Sequence, residues 1–173
     1  MPNIPPSMTD DDETWKPMPG WEDTYFISDR GRVWARSRKV PCDYTDRWGN
    51  HVTERRKAAT MLTERMTTHG YVQYNLKLGS GVEGGRDELR TAHSLVMEAF
   101  GPERPPEADV INHINGDKAD NRIENLEWAT ERENRLHKTL MHHAAEHGLD
   151  EAEAQLQQWL RALDDKKLAT TLS

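Results

Sequence analysis

Between Asp109 and His137 the chain reads DVINHINGDKADNRIENLEWATERENRLH, a stretch rich in groups that move protons or hold a hard cation. A neutral imidazole, such as that of His113 or His137, titrates near the working pH and can take a proton from water. The carbonyl and carboxylate oxygens of Asn and Asp are hard donors, suited to a cation such as Mg²⁺ that keeps several of its own waters. One base beside one hard cation, facing a nucleic-acid backbone, fits phosphodiester hydrolysis. The base activates a water, and the cation stabilises the charge that develops on the phosphate and the leaving oxygen.

The flanking residues must position this set. Val110 and Ile111 lead in as a short apolar piece, and Asn115-Gly116-Asp117 is a turn signal because Asn and Gly tolerate positive φ. Leu126, Trp128 and Ala129 form a second apolar piece. Thr130 with Glu133 three residues later is a capping box, so a helix is expected to start at Thr130 and carry Asn134 and His137 on one face. The expected order is strand, loop, strand, helix, which would bring His113, Asn125, Asn134 and His137 together. Asn115, Asp117, Asp120 and Asn121, taken alone, read as turn chemistry.

The spacing His113 … Asn125 … Asn134 resembles the HNH, or ββα-metal, nuclease motif, in its homing-endonuclease branch of phage- and intron-encoded type. HSLVMEAF (93–100), NHINGDKADNRIENLEWAT (112–130) and Glu133, Asn134 and His137 carry the likeness. WKPMPGWEDTYFISDRGRVWA (15–35) resembles the small NUMOD4-like DNA-binding module that often precedes this nuclease, so the resemblance spans about residues 15 to 138. It implies roles by position. His113 matches the general base, and Asn125 the central Asn that braces the loop and orients the base. Asn112 and Asn134 match the metal ligands. His137 faces the site on the helix, and His93 is a further candidate contact, with a structural role as its ordinary reading. The implied cofactor is one divalent ion, Mg²⁺ or Mn²⁺, and the implied products carry 5′-phosphate and 3′-hydroxyl ends. Three positions depart from the pattern: Asn112 and Asn115 stand where relatives often carry Asp, and Ser94 where they often carry Arg.

The chain of 173 residues has room for one ordinary domain with small appendages. With 31% charged residues the core is expected to be modest, and no apolar run approaches the ~20 residues of a membrane helix. A single cysteine, Cys42, excludes an internal disulfide and a Cys-rich zinc site, and with no signal-like N-terminus a cytoplasmic location is the simplest expectation. The net charge of −7 looks unfavourable for DNA, but the acid sits at the ends. Residues 1–13 hold four acidic and no basic residues, and residues 141–173 hold six acidic against three basic. Residues 30–57 hold nine Lys/Arg against three Asp/Glu, and local charge is what a phosphate backbone meets.

The expected fold is α+β: a small N-terminal antiparallel β module, a ββα-metal core and a C-terminal helix. The expected domains are a disordered acidic tail at 1–13, a β-rich DNA-binding module at 14–90, the nuclease core at 91–139 and a helical segment at 140–173. In the β module, Thr24 to Ser28 is β-prone, Asp29-Arg30-Gly31 is a turn, and alternation places Arg32, Trp34 and Arg36 on one face, read as contacting DNA. Residues 38–59 read as a long basic surface loop in which Arg38, Lys39, Arg55, Arg56 and Lys57 track phosphates, as does Arg122 in the core. Met61 to Met66, Tyr71 to Leu78 and Asp87 to Ala92 read as strands, with a hairpin tip at Gly79–Gly85. His93 to Phe100 reads as a short helix stopped by Gly101. His143 and His147, four apart, could meet a metal if helical, but read first as an exposed polar helix end. Leu156, Trp159, Leu160 and Leu163 form an apolar stripe after Asp150, a helix that docks on the body or, at 150–168, on a second copy or a protein partner. The partner expected throughout is duplex DNA. The alternatives are a non-catalytic DNA-binding protein with a degenerate HNH fold, and a structural or regulatory protein acting through the C-terminal helix.

Overall fold

Alternating side chains and closely spaced turns divide the N-terminal half into short strands rather than long ones. The computed structural model describes residues 13–78 and 86–148. The expected acidic tail up to Asp12, the hairpin tip Gly79–Gly85 and the C-terminal helix at 150–168 therefore lie outside the described residues. Among the described residues the fold is α+β, with several small antiparallel sheets and two α-helices. It divides into two units. The first is built on the chain up to Arg104 and on His113–Glu127, the second on Pro105–Asn112 and on the chain from Trp128 onward.

In the first unit, β1 (Trp15–Pro17), β2 (Tyr25–Ser28), β3 (Val33–Ala35) and β6 (Thr60–Met61) form one sheet in that order. Val33 and Ala35 are buried while Arg32, Trp34 and Arg36 are half-buried, as the alternation requires. A second sheet runs β7 (Arg65–Met66), β8 (Val72–Leu78) and β9 (Arg86–Thr91), with Val72, Tyr74 and Leu76 on its buried face. Helix α1 (Ala92–Phe100) buries Ala92, Leu95, Val96 and Met97 against β2, β8 and β9. It ends at Gly101, whose N–H donates to the Met97 carbonyl at 3.0 Å. The two sheets are also joined by Tyr25, whose hydroxyl donates to the Lys77 carbonyl at 3.0 Å and accepts from the Lys77 N–H at 2.8 Å.

Three expectations are corrected. Glu13 is ordered and buried, paired through its carboxylate with the Arg32 guanidinium. The segment expected to be a loop at 38–59 is an antiparallel hairpin of β4 (Arg38–Thr45) and β5 (His51–Lys57). Its strands are charged on both faces, so they lack the apolar alternation by which a strand is recognised. The single strand expected at 61–66 is two short strands, β6 and β7, that belong to different sheets.

The turn at Asp29–Gly31 is tied to distant parts of the same unit. Asp29 accepts the Ile123 N–H at 2.8 Å, and the Gly31 carbonyl accepts the Tyr74 hydroxyl at 2.9 Å. Gly31 has φ +85°, and a Cβ there would lie 2.7 Å from Cβ of Asn121.

The last pair of strands, β10 (Val110–His113) and β11 (Leu126–Ala129), forms a two-stranded sheet, and α2 (Glu131–His147) follows. The sheet is closed by Ile114 N–H to Asn125 at 2.9 Å at one end and by Asp109 N–H to Ala129 at 3.0 Å at the other. The division between units cuts both strands. α2 begins with the expected capping box: Thr130 Oγ accepts the Glu133 N–H at 3.2 Å, and the Glu133 carboxylate accepts the Thr130 N–H at 2.8 Å. No helix among the described residues is long and apolar enough to cross a membrane.

Gly31→Ala is expected to destabilise the first unit by about 1–2 kcal/mol from its backbone conformation alone, with a further loss from the displaced Asn121. Urea denaturation measures this; a change below about 0.5 kcal/mol would contradict the close packing of turn and loop.

Candidate active site

Loop 114–122 is held from inside by one buried amide. Asn125 Oδ1 accepts the Asn115 N–H at 2.9 Å, and its Nδ2 donates to the Asp120 carbonyl at 2.8 Å and to Asn115 Oδ1 at 3.0 Å. Asn115 in turn donates to the Asp120 carboxylate at 2.8 Å. Arg122 closes the rim with two bonds to the same carboxylate, at 2.9 and 2.8 Å. Chiefly through that pairing, Arg122 holds the Asp120 carboxyl down at about 2. Gly116, at φ +76°, supplies the positive-φ corner that the Asn-Gly pair announced.

His113 sits at the mouth of this loop and is 5% exposed. Its Nε2 lies 3.5 Å from Asn121 Oδ1. The Asn121 Nδ2 donates to the Ala119 carbonyl at 2.9 Å, so the amide presents its oxygen to the imidazole. This network assigns the ring proton to Nε2 and leaves a lone pair on Nδ1. Burial is the main cause lowering the His113 pKa from its ordinary value, and the Asn121 bond partly opposes it; the ring is therefore neutral near pH 7.

Two further rings stack around it. His93 lies edge-on to His113 with centroids 5.3 Å apart, and Tyr71 lies 5.1 Å from His93 and 6.0 Å from His113. His93 is pushed down to about 4, first by burial and then by the neighbouring His113. Its Nε2 lies 3.2 Å from Thr91 Oγ, while its buried Nδ1 meets no hydrogen-bond partner among the described residues. Lys118 Nζ covers the Tyr71 ring at 4.8 Å and donates to the His69 carbonyl at 2.9 Å.

The expected site residues thus fall into two groups. His113 and His93 meet in the first unit, and Asn125 belongs to the same unit, bonded into the loop that follows His113. Asn112, Asn134 and His137 belong to the second, where Asn112 is buried and the other two are half-buried on or beside the start of α2. Sequence reasoning missed Tyr71 altogether and took Asn121 for turn chemistry. Neither is signalled by local spacing, because the ring of Tyr71, just before β8, reaches His113 through the tertiary fold and not through proximity in sequence.

The residues expected to face DNA are placed unequally. The Arg32 guanidinium is engaged by Glu13, and that of Arg122 by Asp120. Arg38 donates to the Lys77 carbonyl at 2.9 Å and lies over the Tyr25 ring. Arg36 lies over Phe26 at 4.5 Å, and Trp34 is half-buried between β2 and β6. Lys39, Arg55, Arg56 and Lys57 line the β4–β5 hairpin, with Lys39 in a solvated pair with Glu54 at 3.0 Å.

Parts of the chain are similar to known proteins. Residues 90–136 match the HNH endonuclease family model, and residues 13–77 match the NUMOD4 motif. The chain is 31% identical over 117 residues to an uncharacterized HNH endonuclease, L247, of Acanthamoeba polyphaga mimivirus. That match takes in 66% of this chain but 28% of the relative's length. A solved structure of the HNH homing endonuclease I-HmuI, in a study of DNA binding and cleavage, is 22% identical with a TM-score of 0.49. The match covers 86% of this chain and 68% of that one. The three stacked rings and the Asn125 network fall largely inside the HNH match, with Tyr71 contributed by the NUMOD4 match.

Asn125→Ala is expected to destabilise the first unit by about 1–3 kcal/mol, since the Asn115 N–H and the Asp120 carbonyl lose their buried partner. A shift in urea midpoint measures it, and no shift would mean that the loop holds itself. A pH dependence follows from His93. Its pKa is lower in the fold (about 4) than the ordinary 6.5, so as pH falls the unfolded chain takes up the proton first. This contribution to stability is complete above about pH 6.5 and is lost progressively down to about pH 4. The urea midpoint of the wild type should fall more steeply across that window than that of His93→Gln; parallel profiles would contradict the assignment.

Proposed function

We propose that the chain is a metal-dependent DNA endonuclease that hydrolyses phosphodiester bonds of duplex DNA. The observation that carries this reading is His113: a buried, neutral imidazole, its Nε2 proton directed at Asn121, within the span matched by a nuclease family. Its Nδ1 lone pair is suited to take the proton of an attacking water, a role typically worth 10²–10⁴-fold in rate. Asn125 positions it by fixing the loop from which it projects, and Tyr71 and His93 exclude bulk water from one side of the ring.

Asn112 and Asn134 are the residues that would hold a cation. Two amide oxygens are hard, neutral donors, a set that fits Mg²⁺ or Mn²⁺ sharing its remaining positions with water and DNA phosphate. A structural zinc centre does not fit, since no group of three His, Cys, Asp or Glu stands together among the described residues. When bound, the ion supplies electrostatic stabilisation to the phosphate and the leaving oxygen. The products in this reading carry 5′-phosphate and 3′-hydroxyl ends. The second reading, a DNA-binding protein without cleavage, draws on the neutrality of both Asn112 and Asn134.

Incubation of supercoiled plasmid with the purified protein in Mg²⁺, in Mn²⁺ and in EDTA separates the two. The nuclease reading expects metal-dependent nicking or linearisation that falls by about 100-fold or more in His113→Ala, with DNA binding retained. In Asn134→Ala the metal concentration for half-maximal cutting should rise. Binding without cleavage in any metal would favour the second reading, and cutting unaffected by His113→Ala would remove the base.

A further inference from the structure

The tip of the β4–β5 hairpin holds the most exposed large apolar side chain among the described residues: Trp48, 71% exposed. The turn that presents it is tightly bonded. The Asp46 carboxylate accepts the Trp48 and Asn50 N–H groups, both at 2.9 Å, and the Asn50 side-chain amide at 3.1 Å. Asp46 and Asn50 also pair through their backbones at 2.9 Å, and Gly49 at φ +87° makes the corner. The Arg47 guanidinium lies over the Trp48 ring at 4.0 Å. The bonded turn fixes the backbone that presents this ring, so less order is lost when a partner covers it.

The stem says what that partner is. In register, Arg38 faces Lys57 and Lys39 faces Arg56, so two successive cross-strand pairs set cation against cation. Like charges directly opposite one another destabilise a strand pair. The Lys57 pKa is lowered by burial and then by Arg38, Arg55 and Lys77 around it. Asp43, Asp46 and Glu54 are the hairpin's acids; Asp46 is used within the turn and Glu54 by Lys39. A charge arrangement that opposes its own strand pairing is relieved by a polyanion, and a two-stranded ribbon fits a DNA groove.

We infer that the hairpin is a DNA-reading arm in which the stem cations hold phosphates and Trp48 wedges against the bases of an opened step. The inference rests on duplex DNA as the partner and adds the residue that contacts bases. Stacking on an aromatic side chain is worth several-fold to about 100-fold in affinity per base and releases no counterions. Trp48 and the stem therefore separate by salt dependence.

The test is fluorescence anisotropy in EDTA over a range of KCl, with a random-sequence duplex of about 30 base pairs and the same duplex carrying one unpaired base. Wild type, Trp48→Ala, Trp48→Phe and Arg55→Ala are compared, with circular dichroism to establish folding. Trp48→Ala should bind roughly 5- to 100-fold more weakly with an unchanged salt slope, and Trp48→Phe should fall between. Arg55→Ala should flatten the slope by about one counterion. The wild type should prefer the duplex with the unpaired base, where unstacking is partly done, and Trp48→Ala should not. Equal binding by Trp48→Ala and wild type overturns the wedge while leaving DNA binding standing. So does a weaker Trp48→Ala with a flattened slope, which would mean that Trp48 acts only through Arg47. Failure of the wild type to bind either duplex overturns the DNA reading itself, and the wedge with it.

Discussion

Asn125 closes the loop between β10 and β11 with an amide that bonds backbone and side chains on both of its arms. A loop this polar has no apolar core of its own, so a buried side chain with both donors and an acceptor is what gives it one conformation. The position of His113 depends on it. The imidazole projects from the last residue of β10, and the Asn121 amide that meets its Nε2 belongs to the same closed loop. Loss of the Asn125 anchor would release the loop that carries Asn121, the partner of the His113 Nε2.

The same constraint reaches into the N-terminal half. The Asp29–Gly31 turn accepts from Ile123 and packs Gly31 directly against Asn121, while Tyr74 ties that turn to the second sheet. The NUMOD4 match and the HNH loop therefore share one folded unit rather than being two beads on a linker. In the proposed function, a hairpin that grips DNA and a loop that presents a base would be held by a common framework, and positioning of that kind is a large part of what a phosphodiesterase must achieve. Arg32 and Arg122 serve the fold through Glu13 and Asp120, and of the hairpin's cations Arg38 bonds the Lys77 carbonyl, Arg56 the Ser37 hydroxyl and Lys39 the Glu54 carboxylate.

Several elements around the site were legible because their signals are local. Thr130 and Glu133 form the capping box that their spacing announces, Gly116 takes the positive φ of an Asn-Gly turn, and α1 ends at Gly101. The hairpin at 38–57 was not legible, because its strands are solvated on both faces and no apolar period marks them; cross-strand register, invisible in sequence, reveals the opposed cations. Glu13 was lost in the acidic run that precedes it, although its partner Arg32 lies 19 residues away across a sheet. Tyr71, His93 and His113 converge only because a turn, a helix start and a strand end meet in space, and no spacing rule encodes that.

The central claim is that the fold holds His113 as a neutral base with its proton on Nε2. Long-range ¹H–¹⁵N NMR of the histidine side chains at pH 7 tests it most directly, with His113→Gln used to assign the signal. A neutral His113 with the protonated nitrogen at Nε2 and a bare Nδ1 is the expected pattern. An imidazolium at pH 7, or a proton resident on Nδ1, would contradict the account.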